Sequence, residues 1–346
     1  MQALILAGGK GTRLRPLTVY TPKPIVPVLN RPLLHYQLEI LRRAGITDII
    51  LSLSYQPRKI EDVIGDGSEL GVSLRFVTEP QPMGTAGAYK FAADDSRKTT
   101  IVFNGDILTD IDLATVIETH TRSKAEATIV LAPVDDPSKF GLVETGKDGS
   151  VIRFLEKPSE ESISQLETKN INAGLYVLEP SVLDRIPPKE NFSFEYNVFP
   201  SLIKDNAPFH AHVMSSAYWR DVGTPESYLA ANQDFLSGKI GHFFDPDDSV
   251  SDVATAAGID RASVIGEGCV IKPGAKITNS VLGPGVHVEE KTSIANSVVW
   301  AHTRISGAAE IDGAIIGKSC YIGRNCTVRP GTVLGDKTSL PDYSRA

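Results

Sequence analysis

The sequence predicts an α/β fold in two parts, a mixed and mostly parallel sheet followed by a parallel β-helix. Three observations predict it. Short apolar runs alternate with segments of helical period from Ala3 to Phe103, the order in which βα units build a parallel sheet. A glycine-rich, cationic stretch follows the first apolar run at once. Beyond residue 262 an internal repeat of about 17 residues sets in.

The first strand, Ala3 to Ala7, delivers the run Leu6-Ala7-Gly8-Gly9-Lys10-Gly11-Thr12-Arg13-Leu14, which closes with Pro22-Lys23-Pro24. Successive glycines let the backbone turn and aim its N–H groups at one point, a way of holding phosphate oxygens. Arg13, Arg15 and Lys23 add cations. The run is neither a dinucleotide fingerprint nor a Walker loop, because no Gly-Lys-Ser/Thr closes it. A glycine turn after a first strand is also common in α/β proteins, and Lys23 between two prolines also reads as a solvated loop lysine.

At 346 residues the chain has length for two domains and a large core. Its net charge of -7 argues against a nucleic-acid partner, which requires a basic face. No apolar run is long enough to cross a bilayer, so no membrane partner is expected. The three cysteines, Cys269, Cys320 and Cys326, lack metal-ligand spacing and read as buried thiols of a reducing compartment. A cytoplasmic location is expected.

Pro32 to Ala44 sets Leu34, Leu38 and Leu41 on one helical face, with Gly45 as its stop. A strand (48–53), a polar helix (57–64), a strand (73–78), a helix beginning near Gly84 and a strand (100–103) continue the alternation. Such a Rossmann-like sheet takes ligands at the carboxyl ends of its strands. Asn104-Gly105-Asp106 lies at one such end, where Asp106 can reach a Mg²⁺ held by phosphates; Asn-Gly-Asp is also ordinary turn chemistry. Two strands from Gly141 to Leu155, joined by Gly146-Lys147-Asp148-Gly149, read as a hairpin that delivers Glu156-Lys157-Pro158. A strand from Asn170 to Leu178 carries Asn172-Ala173-Gly174. Ser193 reads as the cap of a helix that contains Glu195 and runs to about Lys204. Trp219-Arg220-Asp221-Val222-Gly223 precedes a last helix ending near Leu236. Each has a bland reading: Glu156 and Lys157 as a solvated pair, Glu195 as a favourable helix start, Trp219 as core, Asn172 and Asp221 as partners of backbone groups.

The expected domains are 1–236, a linker over 237–261, and a β-helix over 262–340. Repeat starts at Ser263, Ser280, Ser297, Ala314 and Thr332 step by 17, 17, 17 and 18 residues. Aliphatics step by six between them, as Ile265, Ile271, Ile277 and then Leu282, Val288, Ile294. A three-sided parallel coil has that period, with one inward aliphatic per face. About four coils are expected, with Cys269 and Cys320 in one column. Their open ends make self-association into a homo-oligomer an expectation.

These motifs, in this order and with Gly84-Thr85-Ala86-Gly87, resemble those of the sugar-1-phosphate nucleotidyltransferases over nearly the whole chain. Glu79-Pro80, the Ile171 to Gly174 strand, Glu195 before Val198-Phe199-Pro200 and the β-helix are most similar to members that use GTP and mannose 1-phosphate. The resemblance implies a nucleotidyltransferase domain followed by a left-handed β-helix. It implies that Leu6, Ala7, Gly8, Gly9, Gly11, Thr12, Gly84 and Thr85 line the nucleotide, with Arg13 on its outer phosphates and Lys23 near the α-phosphate. Gly141, Glu156, Lys157, Asn172, Gly174 and Glu195 would receive the sugar phosphate, and Asp106 and Asp221 would hold Mg²⁺. Arg13, Lys23, Asp106 and Lys157 would be the catalytic set.

The implied reaction is in-line attack of a sugar-phosphate oxygen on the nucleotide α-phosphorus. That oxygen is already ionised, so no general base is needed, and positioning and cations carry the catalysis. Glucose-1-phosphate thymidylyl or uridylyl transfer is the alternative chemistry. A non-catalytic nucleotide-sugar sensor, and a β-helix acyltransferase using His287 or His302, are alternatives of other classes.

Overall fold

The computed structural model describes residues 1–93, 97–166, 168–240 and 258–346. The chain divides into two compact units, one of Met1–Gly9 and Leu34–Trp219, the other of Lys10–Leu33 and Arg220–Ala346. Most of the expected linker lies outside the described residues.

In chain order the elements are β1 (Gln2–Leu6), β2 (Pro27–Val28), β3 (Arg31–Pro32), α1 (Leu33–Arg43), β4 (Asp48–Leu53), α2 (Pro57–Ile64), β5 (Ser73–Thr78), α3 (Gly84–Ala93), β6 (Thr100–Asn104) and β7 (Ile107–Thr109). There follow α4 (Leu113–Ser123), β8 (Ala127–Pro133), β9 (Gly141–Thr145), β10 (Val151–Glu156), α5 (Glu160–Ser164), β11 (Asn170–Leu178), α6 (Phe199–Lys204), β12 (Phe209–Val213), β13 (Trp219–Asp221) and α7 (Pro225–Leu236).

The first unit is built on a mixed sheet in the order β10-β9-β11-β6-β1-β4-β5, with β8 paired to β11 and β12. The block β6-β1-β4-β5 is parallel, with Leu4 opposite both Ile50 and Val102. It is the part made by βα crossovers. β11 pairs antiparallel with β6, β8 and β9, and the β9-β10 hairpin is antiparallel, whereas β12 adds to β8 in parallel. Every β1 residue from Ala3 to Ile5 is fully buried, as a central parallel strand requires. Aromatic rings fill the far side of the core: Phe199 stacks between Phe194 at 5.7 Å and Phe209 at 5.2 Å, with Tyr176 edge-on at 5.1 Å.

Ser193 caps the next turn as expected, its Oγ accepting from the N–H groups of Glu195 and Tyr196. That turn is a π-helix over Phe194–Val198, and α6 starts only after it. The wider turn brings Phe194 and Phe199 into the same core cluster.

In the second unit, residues 10–33 form three short 3-10 turns and the β2-β3 hairpin. The C-terminal body is a parallel β-helix of three sheets with five, five and four strands, slightly more than the four coils expected. One sheet aligns Ile265, Leu282, Val299, Ile316 and Leu334. The second aligns Ile271, Val288, Ile305, Ile322 and Leu340. The third aligns Ile277, Ile294, Ile311 and Val328. These are the aliphatics of the six-residue step, and together they form one core.

Candidate active site

In the first unit, β1 ends among the expected nucleotide residues. Gly105 donates to Leu6 O at 3.0 Å, and a Cβ on Gly105 would stand 2.8 Å from that oxygen. The glycine therefore lets the turn carrying Asp106 sit on the end of β1. Gln37 fixes the two ends of that turn, donating to Asn104 O at 2.9 Å and Ile107 O at 2.8 Å. Asp106 is half-buried at the strand end.

Gly8 is tightly faced: a Cβ there would lie 2.9 Å from Ser54 Oγ and 3.0 Å from Glu79 Oε1. A Cβ on Gly9 would meet nothing within 4 Å, so protein packing does not require its bareness. In the sequence Glu79 stands in a motif with no role of its own. The structure holds its carboxylate beside Gly8, with Ser52 Oγ donating at 3.1 Å and Met83 N at 3.2 Å. Its signal in the sequence was its place just after β5, at the same carboxyl edge.

The glycines at 84 and 87 have a packing reason. Gly84 has φ +71, and a Cβ on it would lie 2.5 Å from Phe192 O; one on Gly87 would lie 2.6 Å from Glu190 O. The start of α3 thus presses on the 190–192 backbone. Thr85 Oγ1 donates to Glu195 Oε2 at 2.8 Å and accepts from Phe194 N at 2.9 Å. Ser193 Oγ also lies 2.5 Å from Glu195 Oε2. Thr85 and Glu195 are thereby joined to each other.

Asn172 bonds Tyr176, whose hydroxyl also feels the charges of Glu195 and Glu156. Asn172 donates to Tyr176 Oη at 2.8 Å and accepts from Gly174 N at 2.9 Å. Gly174 has φ +72, and a Cβ on it would stand 2.9 Å from Asn104 Nδ2. The β11 register shifts at this point, between Asn172 and Tyr176, which turns the Asn172-Gly174 backbone out of the ladder. A Cβ on Gly141 would stand 3.0 Å from Glu156 Oε2. Lys157 Nζ lies 3.8 Å from Glu156 Oε1, and Lys157 adopts φ 47. Left-handed backbone is disfavoured for a residue that carries a Cβ. Trp219 Nε1 donates to Ala173 O at 2.8 Å, and its ring meets Phe140 edge-on.

In the second unit, Arg13, Lys23 and Asp221 come together. Asp221 stands 3.6 Å from Arg13 and 3.8 Å from Lys23. A Cβ on Gly223 would lie 2.8 Å from Asp221 Oδ1 and 2.9 Å from an Arg13 nitrogen, so that glycine makes room for the pair. Gly11 has φ +60 and a Cβ there would approach Lys23 Cβ at 3.1 Å; Thr18 Oγ1 donates to its carbonyl at 2.7 Å. Thr12 begins the 3-10 turn that contains Arg13. Asp221 is positioned by α7, which Thr224 caps and whose Ser227 hydroxyl donates to Asp221 O.

Glu156 carries the one resolved carboxyl shift in the Tyr176 cluster. Burial pushes its pKa above the ordinary 4.5, the charge of Glu195 adds to this, and Lys157 opposes it. Its stabilising effect is therefore greatest when protonated in both states, and stability falls as pH rises through the folded-state pKa. Glu156→Gln is expected to melt about 1–2 °C above the wild type at pH 8. The two curves should converge as pH falls toward about 4. Scanning calorimetry from pH 4 to 8 checks this, and a pH-independent difference would contradict it.

Residues 2–238 match the family model described as nucleotidyl transferase, and residues 247–344 match that of the EIF2B subunit epsilon LbH domain. The C-terminal body is thus a left-handed β-helix. The chain is 38% identical over 314 residues to a mannose-1-phosphate guanylyltransferase of Mycobacterium tuberculosis, covering 90% of this chain and 83% of that one. It is 36% identical over 352 residues to a mannose-1-phosphate guanyltransferase of Pichia angusta, covering 99% and 93%. A crystal structure of a candidate glucose-1-phosphate thymidylyltransferase from Bacillus anthracis, in complex with a sucrose, is similar with a TM-score of 0.61 and 26% identity. It covers 71% of this chain and 98% of that one. With this match and the ordered motifs at its strand ends, the chain belongs to the nucleotidyl transferase family.

Proposed function

We propose that the protein transfers a guanylyl group from GTP to mannose 1-phosphate, forming GDP-mannose and pyrophosphate. The observation that carries this reading is the similarity over nearly the whole chain to relatives named for that reaction. The clustering of Arg13 and Lys23 about Asp221 supports it.

A phosphate oxygen of mannose 1-phosphate forms a bond to the α-phosphorus of GTP while the α–β bridging bond breaks, and pyrophosphate leaves with the electron pair. No proton need move. Leu6, Ala7, Gly8, Gly9, Gly11, Thr12, Gly84 and Thr85 line the nucleotide in this reading. Glu79 offers the guanine N–H edge a carboxylate acceptor. Arg13 receives the outer phosphates and Lys23 the α-phosphate. Gly141, Glu156, Lys157, Asn172, Gly174 and Glu195 receive the sugar phosphate, with Lys157 on its phosphate.

The donors present fit a hard divalent cation. Among the described residues no group of three or more His, Cys, Asp or Glu could enclose an ion, so Asp106 and Asp221 are offered as single carboxylates. Mg²⁺ is commonly held by one or two carboxylates together with substrate phosphates. When bound it neutralises phosphate charge. We further propose a cytoplasmic homo-oligomer, with the domains bounded at 1–236, 237–261 and 262–340. The three free, buried cysteines support a reducing compartment, and the described residues contain no helix long and apolar enough to cross a membrane.

Pyrophosphate release across four nucleoside triphosphates and the 1-phosphates of mannose, glucose and N-acetylglucosamine tests the assignment. GTP with mannose 1-phosphate should exceed any other pair in kcat/KM by about tenfold or more; a thymidylyl or uridylyl preference would overturn it. Asp106→Asn should lower kcat by about 100-fold or more with little change in melting temperature. Gly9→Ala, whose new methyl meets no protein atom, should leave stability unchanged while raising KM for GTP about tenfold.

A further inference from the structure

One coil of the β-helix breaks its own repeat. After each aliphatic pair of the first sheet stand Gly266, Gly283, Trp300, Gly317 and Gly335. Three of these glycines are sterically required, since a Cβ on Gly266, Gly283 or Gly317 would lie 2.5, 2.5 or 2.6 Å from atoms of the next coil. Gly335 faces Pro16 instead, where a Cβ would meet the proline ring at 3.0 Å. Trp300 fills the column position with a ring only 2% exposed.

Its indole connects the coil to the phosphate loop. Trp300 Nε1 donates to Tyr228 Oη at 2.8 Å, and the two rings meet edge to face at 6.2 Å. Tyr228, fully buried on α7, donates its own hydroxyl to Pro27 O. An indole N–H only donates, so the direction of this relay is fixed. Pro27 continues a hydrogen-bonded turn, in which Val26 N donates to Lys23 O at 3.1 Å and Ile25 N to Pro22 O at 3.0 Å. Neighbouring contacts hold the same segment: Leu29 N donates to Asn232 Oδ1 at 2.9 Å, and Asn30 Nδ2 to Leu282 O at 2.8 Å.

We propose that Trp300 is a positioning residue for the transfer reaction. Through Tyr228 and the Pro27 carbonyl it sets the Lys23–Pro27 segment, and with it the ammonium that faces Asp221. The β-helix is then part of the apparatus that aligns the nucleotide phosphates. This inference rests on the function proposed above for the same loop.

The test uses the full chain with Trp300→Phe, Tyr228→Phe and the double variant, all of which keep an aromatic ring at each position. Each single variant should lower kcat/KM for GTP about tenfold, while KM for mannose 1-phosphate stays within about twofold. The double variant should be no worse than the more impaired single one, because both cut one relay. Hydrogen exchange at the amides of Ile25 and Val26 should quicken in every variant. A lower melting temperature with unchanged kcat/KM, a KM for mannose 1-phosphate raised as far as that for GTP, or additive losses would overturn the proposal. If the wild type transfers nothing between GTP and mannose 1-phosphate, the functional reading fails by itself. Exchange then decides the positioning role, which quickened amides uphold and unchanged amides overturn.

Discussion

Two cations drawn to one carboxylate are the interaction on which this structure turns. Arg13 and Lys23 both approach Asp221, and Lys23 is 8% exposed. An ammonium so enclosed needs a counter-charge, and Asp221 provides one. The cluster also dictates backbone chemistry around it, because Gly223 and Gly11 occupy places where a side chain would collide with its members. The cationic loop is thus packed around the carboxylate that its two cations face.

The Tyr176 cluster solves a different problem. Its carboxylates, Glu156 and Glu195, share a partly dry surrounding that makes ionising Glu156 costly. Asn172 and Thr85 are held by hydrogen bonds within the protein, which fixes the geometry. Lys157 sits at a backbone angle that its side chain disfavours. Such a set spends stability on placement, the pattern expected where polar groups are arranged for a ligand rather than for the fold.

The regular parts of this architecture were legible in the sequence because local patterns encode them. Strands such as 48–53 and 73–78 and the aliphatic columns from Ile265 to Val328 stand where periodicity placed them. The π-turn at Phe194–Val198 was not legible, since capping by Ser193 specifies a helical start without specifying its pitch. Nor was the grouping of residues 10–33 with the β-helix. It depends on contacts between residues far apart in sequence, such as Asn30 with Leu282, and an irregular loop carries no periodic signature of its docking site. The turn of Gly105 and Asp106 was legible because strand ends are predictable, whereas the register shift at Asn172-Gly174 was not, since it lies within a strand whose periodicity continues through it. Glu79 lay at such an end too, but its carboxylate acquires meaning only beside Gly8. Trp300 was visible as an interruption of the glycine column, yet its purpose required Tyr228 from a separate helix.

The three thiols of the β-helix have a consequence of their own. Cys269, Cys320 and Cys326 each direct Sγ to a carbonyl of the following turn, on Gly283, Gly335 and Pro341. Burial also pushes the Cys269 and Cys320 thiols up, away from the reactive thiolate. Inertness toward oxidants and alkylating agents is therefore conferred by winding: each sulfur is shielded for as long as the solenoid remains intact, and becomes chemically available only where a turn has come undone.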